Sequence, residues 1–346
     1  MQRLFLSICL AFLFGMTTSV AIASEPAKKR GDFKGVQLVE IPSWFKASFL
    51  NLKDDIDEAT ESGKRVMVYF HQNGCPYCAK LVNDNFKDKK IVDYMAKHID
   101  AIDINMWGDR EVVGMKGKTF TEKSFSASRK VWFTPTLLFF DEKGKIALRI
   151  NGYYPKDKFL IALRYVAEKK NTELAFSDYY KQFSTASKPG KLNAQNFFVQ
   201  PSYDLQKLRQ QDKPLAILFE QANCKACDNL HQVTLKDKDT VDILKRFNIV
   251  QLDRWADTPI IGLDGKPTTA KQLANKLEIA FSPSAILYDK GVEVIRIEAF
   301  LKSFHVQSVF AYVLSGDYKK ETSFQRYLEH RADAIRDTGK TVDLWK

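Results

Sequence analysis

The chain repeats itself, and this limits how it can fold more than any other feature of the sequence. The apolar run Val66-Met67-Val68-Tyr69-Phe70 stands 149 residues before Leu215-Ala216-Ile217-Leu218-Phe219. A Cys-x-x-Cys pair follows each run at the same offset, Cys75 with Cys78 and Cys224 with Cys227. Further on, Trp107, Asp109, Val112, Val113, Gly114, Met115, Gly117 and Lys118 match Trp255, Asp257, Ile260, Ile261, Gly262, Leu263, Gly265 and Lys266 at an offset of 148, so one residue has been lost between. The register continues through Pro135 and Pro283, and through Asp141 and Asp289. A period this long is no solenoid unit, because each copy is large enough to bury its own core. Two like domains are expected, one over 36–183 and one over 200–346 with a C-terminal helical extension. The joint is expected at 184–199, where Lys188-Pro189-Gly190 marks a turn.

Each copy reads as strand, cysteine pair, helix. The uninterrupted apolar, β-branched and aromatic run at 66–70 suits a buried strand. After Cys75, the spacing of Cys78, Leu81, Val82, Phe86, Ile91, Val92 and Met95 suits helix, with Pro76 tolerated in its first turn. A strand is expected near 99–106, a short helix over 121–130, a hairpin from 136–140 and 146–150, and a helix over 156–169. The second copy repeats this order through 285–288, 292–297 and 304–314. Strands alternating with helices give an α/β fold. A last amphipathic helix is expected at 323–335, with Phe324, Tyr327, Leu328, Ala332 and Ile335 on the face that packs against the second domain.

The first residues carry Arg3, an apolar run from Leu4 to Met16, and small residues ending in Ala21-Ile22-Ala23. That layout predicts a cleavable signal peptide over 1–23 and export to the bacterial periplasm or an equivalent oxidising space. An uncleaved anchor is the competing reading; the run is short for a membrane span, and no later stretch is apolar enough for one. Cys9 would leave with the leader. The formal charge of +11 is dispersed apart from Lys28-Lys29-Arg30, so a solvated surface is expected, not a nucleic-acid interface or stable membrane insertion.

The four remaining cysteines fall into two close pairs. A structural disulfide stabilises chiefly by closing a long loop in the unfolded chain, and a three-residue spacing closes almost nothing. Chemistry is the better reading. A cysteine at the start of a helix meets free backbone N–H groups and the positive end of the helix dipole, which favour the thiolate, and a second cysteine one turn on resolves a mixed disulfide. On this reading Cys75 and Cys224 attack, and Cys78 and Cys227 resolve. A four-cysteine zinc site is disfavoured, because the pairs lie in separate copies and each follows a buried strand. No metal is expected, and no cofactor beyond the redox-active disulfides Cys75–Cys78 and Cys224–Cys227.

The segments from Val68 to Cys78 and from Phe133 to Asp141 together resemble the thioredoxin superfamily, and most specifically periplasmic thioredoxin-related proteins of the SoxW type, which are associated with bacterial sulfur oxidation. The resemblance implies two tandem thioredoxin-like folds, each a central mixed β-sheet flanked by helices. It implies that Pro135 and Pro283 are the family's cis-prolines beside the redox pair, and that the backbone of Thr134 and of Ser282 pairs with substrate. It also implies a thiol-disulfide oxidoreductase that acts on exported proteins carrying disulfides or thiols, with a membrane thiol electron transporter as donor. Reduction is the preferred direction. Isomerase or oxidase activity, and a non-catalytic redox-sensing binding or chaperone module, are the alternatives.

Two departures stand out. The family's buried aspartate lies six residues before the first cysteine, where this chain has Tyr69 and Leu218, so water or nearby polar groups must accept the resolving cysteine's proton. The intervening dipeptides also differ. Pro76-Tyr77 looks like glutaredoxin, yet the sequence around Thr134-Pro135 lacks that family's glutathione-site pattern. Lys225 in Lys225-Ala226 sets a positive charge beside Cys224 that favours its thiolate. The two sites are therefore expected to differ in potential. His71 and His231 are the nearest histidines, and both are read first as hydrogen-bonding groups. Trp107 and Trp255 are read as packing groups before substrate platforms.

Overall fold

The computed structural model describes residues 29–183 and 190–346. The leader expected at 1–23, Cys9, and the 184–189 part of the joint lie outside the described residues.

The first copy is organised around one strand. After β1 (Phe33–Lys34) and α1 (Leu52–Glu61), β2 (Arg65–His71) is buried at all seven positions, as its continuous apolar sequence requires of a central strand. It leads directly to Cys75 and α2 (Pro76–Leu81), with Cys75 as N-cap and Pro76 at the first helical position. The long helix suggested by the spacing is broken. A π-helical turn at Val82–Phe86 is followed by α3 (Lys89–His98), started afresh by Asp88, whose carboxylate accepts from the Lys90 and Ile91 N–H groups. β3 (Ile99–Asn105), the small hairpin of β4 (Glu111–Val113) and β5 (Thr119–Thr121), and α4 (Glu122–Ser128) follow. Thr121 and Ser124 close a reciprocal capping box at the start of α4. β6 (Thr136–Phe140), β7 (Ile146–Asn151), α5 (Lys156–Ala167) and α6 (Phe176–Lys181) complete the copy.

The sheet order is β3-β2-β6-β7, with β2 and β3 parallel and the other pairs antiparallel. The second copy has α7 (Leu205–Arg209), β8 (Leu215–Glu220), α8 (Lys225–Gln232), α9 (Lys238–Leu244), β9 (Asn248–Asp253), the hairpin of β10 (Pro259–Ile261) and β11 (Pro267–Thr269), α10 (Ala270–Lys276), β12 (Ser284–Asp289), β13 (Val292–Ile297) and α11 (Ser303–Ser315). Its sheet, β9-β8-β12-β13, has the same mixed pattern. Even the capping box recurs, at Thr269 and Gln272. The chain is thus two tandem thioredoxin-like folds, each with apolar clusters on both sheet faces. In the expected joint, Phe198 is buried and the Val199 N–H donates to the Ile249 carbonyl, so these residues already pack as part of the second copy.

The two copies are packed together. Phe281 of the second copy is buried in the first copy's cluster, stacked on Tyr154. The Lys158 ammonium faces the Tyr154, Tyr180 and Phe281 rings and donates to the Ala280 carbonyl. In the other direction, α12 (Phe324–Asp337) joins the second core through Phe324, Leu328 and Ala332, while Phe324 also packs on Phe133 of the first copy. β1 pairs in parallel with β14 (Val342–Asp343), and the Gln37 N–H reaches the Gly74 carbonyl at 3.4 Å.

Candidate functional site

Each cysteine pair is closed as a disulfide, with Cα atoms 5.3 Å apart for Cys75 and Cys78 and 5.1 Å for Cys224 and Cys227. Both pairs sit where a buried parallel strand turns into a helix. The first sulfur caps that helix, accepting from the Cys78 N–H at 3.1 Å in one copy and from the Cys227 N–H at 3.1 Å in the other. A backbone donor aimed at the sulfur in the disulfide is equally placed to stabilise a thiolate there.

The Thr134–Pro135 and Ser282–Pro283 peptides are both cis. Each brings the preceding residue against the first cysteine: Cys75 Sγ lies 3.4 Å from the Thr134 carbonyl, and Cys224 Sγ 3.6 Å from that of Ser282. Residues distant in sequence therefore converge on each first cysteine. The side chains differ, however. The Thr134 hydroxyl donates to Cys75 Sγ at 3.3 Å, whereas Ser282 Oγ is buried with no hydrogen-bond partner.

Behind the sulfurs, the copies are built differently. Tyr69 is fully buried, and burial, followed by the Asp103 charge, pushes its phenol up, so it is no proton acceptor. His71 stacks on Tyr69, and its Nε2 lies 3.4 Å from Asp103 Oδ2. Burial pushes the Asp103 carboxyl up, but hydrogen bonds and charge from His71 and Arg110 outweigh it and hold the group below the ordinary range. In the second copy, Glu220 occupies the strand position equivalent to His71 and is completely buried. It accepts from His231 Nε2 at 2.9 Å and from Gln251 Nε2 at 3.0 Å, while Gln195 approaches His231 Nδ1. His231 lies in the last turn of α8, facing back onto β8. Sequence reasoning missed Glu220, although an acid in register with His71 was a signal.

The tryptophans are paired by the repeat. Trp107 Nε1 donates to Gln72 and Trp255 Nε1 to Gln221, each glutamine three residues before its cysteine pair. Trp255 is buried, while Trp107 lines a cleft beside Cys75.

The sites also differ in what covers them. Around the first, Cys75, Pro76, Tyr77, Thr134 and Pro135 are all buried. Tyr77 is held by the second copy: its phenol accepts from the Lys302 N–H at 2.8 Å, and its ring meets His305 and Trp345 edge-on. Burial pushes His305 down to about 4, so it faces Tyr77 uncharged at neutral pH. Around the second site, Lys225 is exposed and Ala226, Ser282 and Pro283 are half-buried. Among the described residues, no three His, Cys, Asp or Glu side chains gather as a metal-ligand set, and no helix is long and apolar enough to cross a membrane.

A family model described as a thioredoxin-like domain matches twice, at residues 52–167 and 201–314. Among solved structures, a thioredoxin-fold protein from Helicobacter pylori is 26% identical over 35% of this chain and 80% of its own, with a TM-score of 0.32. A thioredoxin from Thermus thermophilus is 24% identical over 34% of this chain and 85% of its own, with a TM-score of 0.26. The oxidised C-terminal domain of Neisseria meningitidis DsbD is 14% identical over 35% of this chain and 98% of its own, with a TM-score of 0.27. No curated protein matches.

Proposed function

The chain belongs to the thioredoxin-like domain family and is a thiol-disulfide oxidoreductase, and on that premise we propose that it is an exported reductase of disulfides in other proteins. Cys75 and Cys224 attack, Cys78 and Cys227 resolve, and Thr134 and Ser282 present backbone to the substrate beside Pro135 and Pro283. One observation carries this reading: in both copies the helix-capping sulfur lies against the residue that precedes the cis-proline. Substrate backbone laid along that residue brings its disulfide to the attacking sulfur.

The steps follow from thiol chemistry. The first cysteine's thiolate attacks a substrate sulfur, the substrate S–S bond breaks, and a mixed disulfide forms. The second cysteine then attacks the first, releasing the reduced substrate and closing the pair. In the second copy, the Glu220–His231 pair, with Glu220 on the same face of β8 as Leu218, would supply the polar group that the Leu218 position lacks. A membrane thiol electron transporter would restore the dithiols. The leader-like first 23 residues, and the likeness of the two motif segments to SoxW-type proteins, support a periplasmic site of action.

The test is the reduction potential of each pair, obtained by equilibrating the protein and its Cys75→Ser and Cys224→Ser variants in graded dithiol buffers and trapping free thiols. Values near the roughly −270 mV of thioredoxin are expected, and values toward about −120 mV would make the protein an oxidant and reverse the direction.

A further inference from the structure

We propose that the Cys75–Cys78 pair takes a low-molecular-weight, uncharged, amide-bearing disulfide of the cystine-diamide or short cysteinyl-peptide type, leaving folded protein substrates to Cys224–Cys227. This inference rests on both pairs being redox centres and assigns a different substrate class to each.

The first observation is a roof. The face that would receive a protein strand at Thr134 is taken by the second copy. Phe324 packs on Phe133 with ring centroids 5.1 Å apart, and Gln325 bonds at once to the Trp132 carbonyl and to Gln72. Lys302 holds Tyr77, and Ala299 sits so close to Gly152 that a Cβ added there would lie 2.2 Å from the Ala299 methyl. A protein partner needs a patch of about 800 Å² on each side, and these contacts occupy the surface beside Thr134 where it would sit.

The second observation is what the roof leaves. A cleft of about 580 Å³ remains with Cys75 in its wall, a size within the roughly 300–1,000 Å³ typical of small-molecule sites. Uncharged groups dominate its reactive end: Asn73 and Asn105 as amides, Trp107 and Phe133 as aromatic faces. The charged wall residues are mostly paired already, Glu298 with Arg296, and Asp333 with Arg336 and Arg30. Glu329, exposed at the cleft, adds negative charge that disfavours anionic thiols. Amide walls recognise amide ligands by exchanging N–H and C=O bonds, and the aromatic faces take up their apolar surface.

The chemistry balances within the pair. In the dithiol form, Cys75 as thiolate attacks one sulfur of RS–SR, the ligand S–S bond breaks, and the first RS⁻ leaves and takes up a proton. Cys78 attacks Cys75 in the mixed disulfide, the second RS⁻ leaves with the other cysteine's proton, and the Cys75–Cys78 bond forms. Two electrons pass to the ligand.

The experiment mixes full-length, pre-reduced Cys224→Ser/Cys227→Ser protein and pre-reduced Cys75→Ser/Cys78→Ser protein, each in single turnover, with N,N′-diacetylcystine bis(methylamide) or with insulin. The first variant is expected to react readily with the diamide but at least about ten-fold more slowly with insulin than the second variant does. Adding Glu329→Trp, an exposed position that narrows the cleft, is expected to slow only the diamide reaction, several-fold. Equal insulin rates in the two variants, or no effect of the cleft substitution, would overturn this inference and leave the proposed function standing. A first variant inert to both disulfides would overturn this inference together with the proposed redox role of Cys75.

Discussion

The phenol of Tyr77, inside the first Cys-x-x-Cys, accepts a hydrogen bond at 2.8 Å from the backbone N–H of Lys302, the N-cap of α11 in the second fold. The redox dipeptide of one copy is therefore a docking element for the other. A Tyr77→Phe change removes the acceptor and leaves the Lys302 N–H without its partner, a loss of about 1–3 kcal/mol to the docked arrangement. The expected result is several-fold faster alkylation of Cys75 by a bulky maleimide in the reduced protein, with the Cys224 rate unchanged. Peptide-resolved mass spectrometry of the alkylated chain separates the two.

The two residues before the cis-prolines are expected to differ in their effect on the attacking sulfur. Thr134 donates its hydroxyl to Cys75, while Ser282 has no such bond to Cys224. Removing a donor to an ionised acceptor costs about 1.5 kcal/mol, or roughly one pKa unit. Thr134→Ala is therefore expected to raise the Cys75 thiol pKa by about one unit, whereas Ser282→Ala leaves Cys224 where it was. Ultraviolet titration of the thiolate in single-site proteins reads both.

Local features of this fold were legible because they are local. The strands at Thr136–Phe140 and Val292–Ile297 are contiguous runs bounded by turns, and the repeat register predicted the second sheet from the first. The apolar face of α12 was equally plain. What it covers was not, because the contact between Phe324 and Phe133 joins residues far apart in the chain and leaves no periodicity in either segment. The break between α2 and α3 was hidden for the opposite reason. Apolar spacing continues across it, and only the Asp88 cap shows that the chain starts a new helix. At the site, spacing gave the sulfurs and prolines, while the exchange of His71 for Glu220 needed the register read for polar residues too.

Acid should weaken the first fold through one ion pair. The Arg65 side chain is buried and donates to both oxygens of Glu142, to the Val166 carbonyl and to Asn171. Hydrogen bonds from Arg65, with Lys169 adding to them, hold the Glu142 carboxyl down at about 2. A carboxylate depressed on folding contributes stability that is complete above its unfolded pKa, near 4.5, and is lost as pH falls through about 2. Because Glu142 is partly exposed, solvent screening leaves an effect of about 1–2 kcal/mol. Urea midpoints measured from pH 7 to pH 2 should show Glu142→Gln less stable at pH 7, with the gap to the unaltered protein closing toward pH 2.

Glu220 gives the sharpest test that the copies are held from within by different groups. It is fully buried and accepts from His231 Nε2 and Gln251 Nε2 together. The equivalent positions in the first copy are His71 and Asp103, so acid and neighbour have changed places across the sheet. Glu220→Ala removes the shared acceptor, leaving the buried His231 Nε2 unmet while the half-buried Gln251 amide keeps only the Asn193 carbonyl, a loss of about 2–3 kcal/mol. Hydrogen exchange should show protection falling across Leu215–Glu220 and Asn248–Asp253, with Arg65–His71 unchanged. A uniform fall across both sheets would mean that the packing through Phe281 and Phe324 makes the two copies unfold as one.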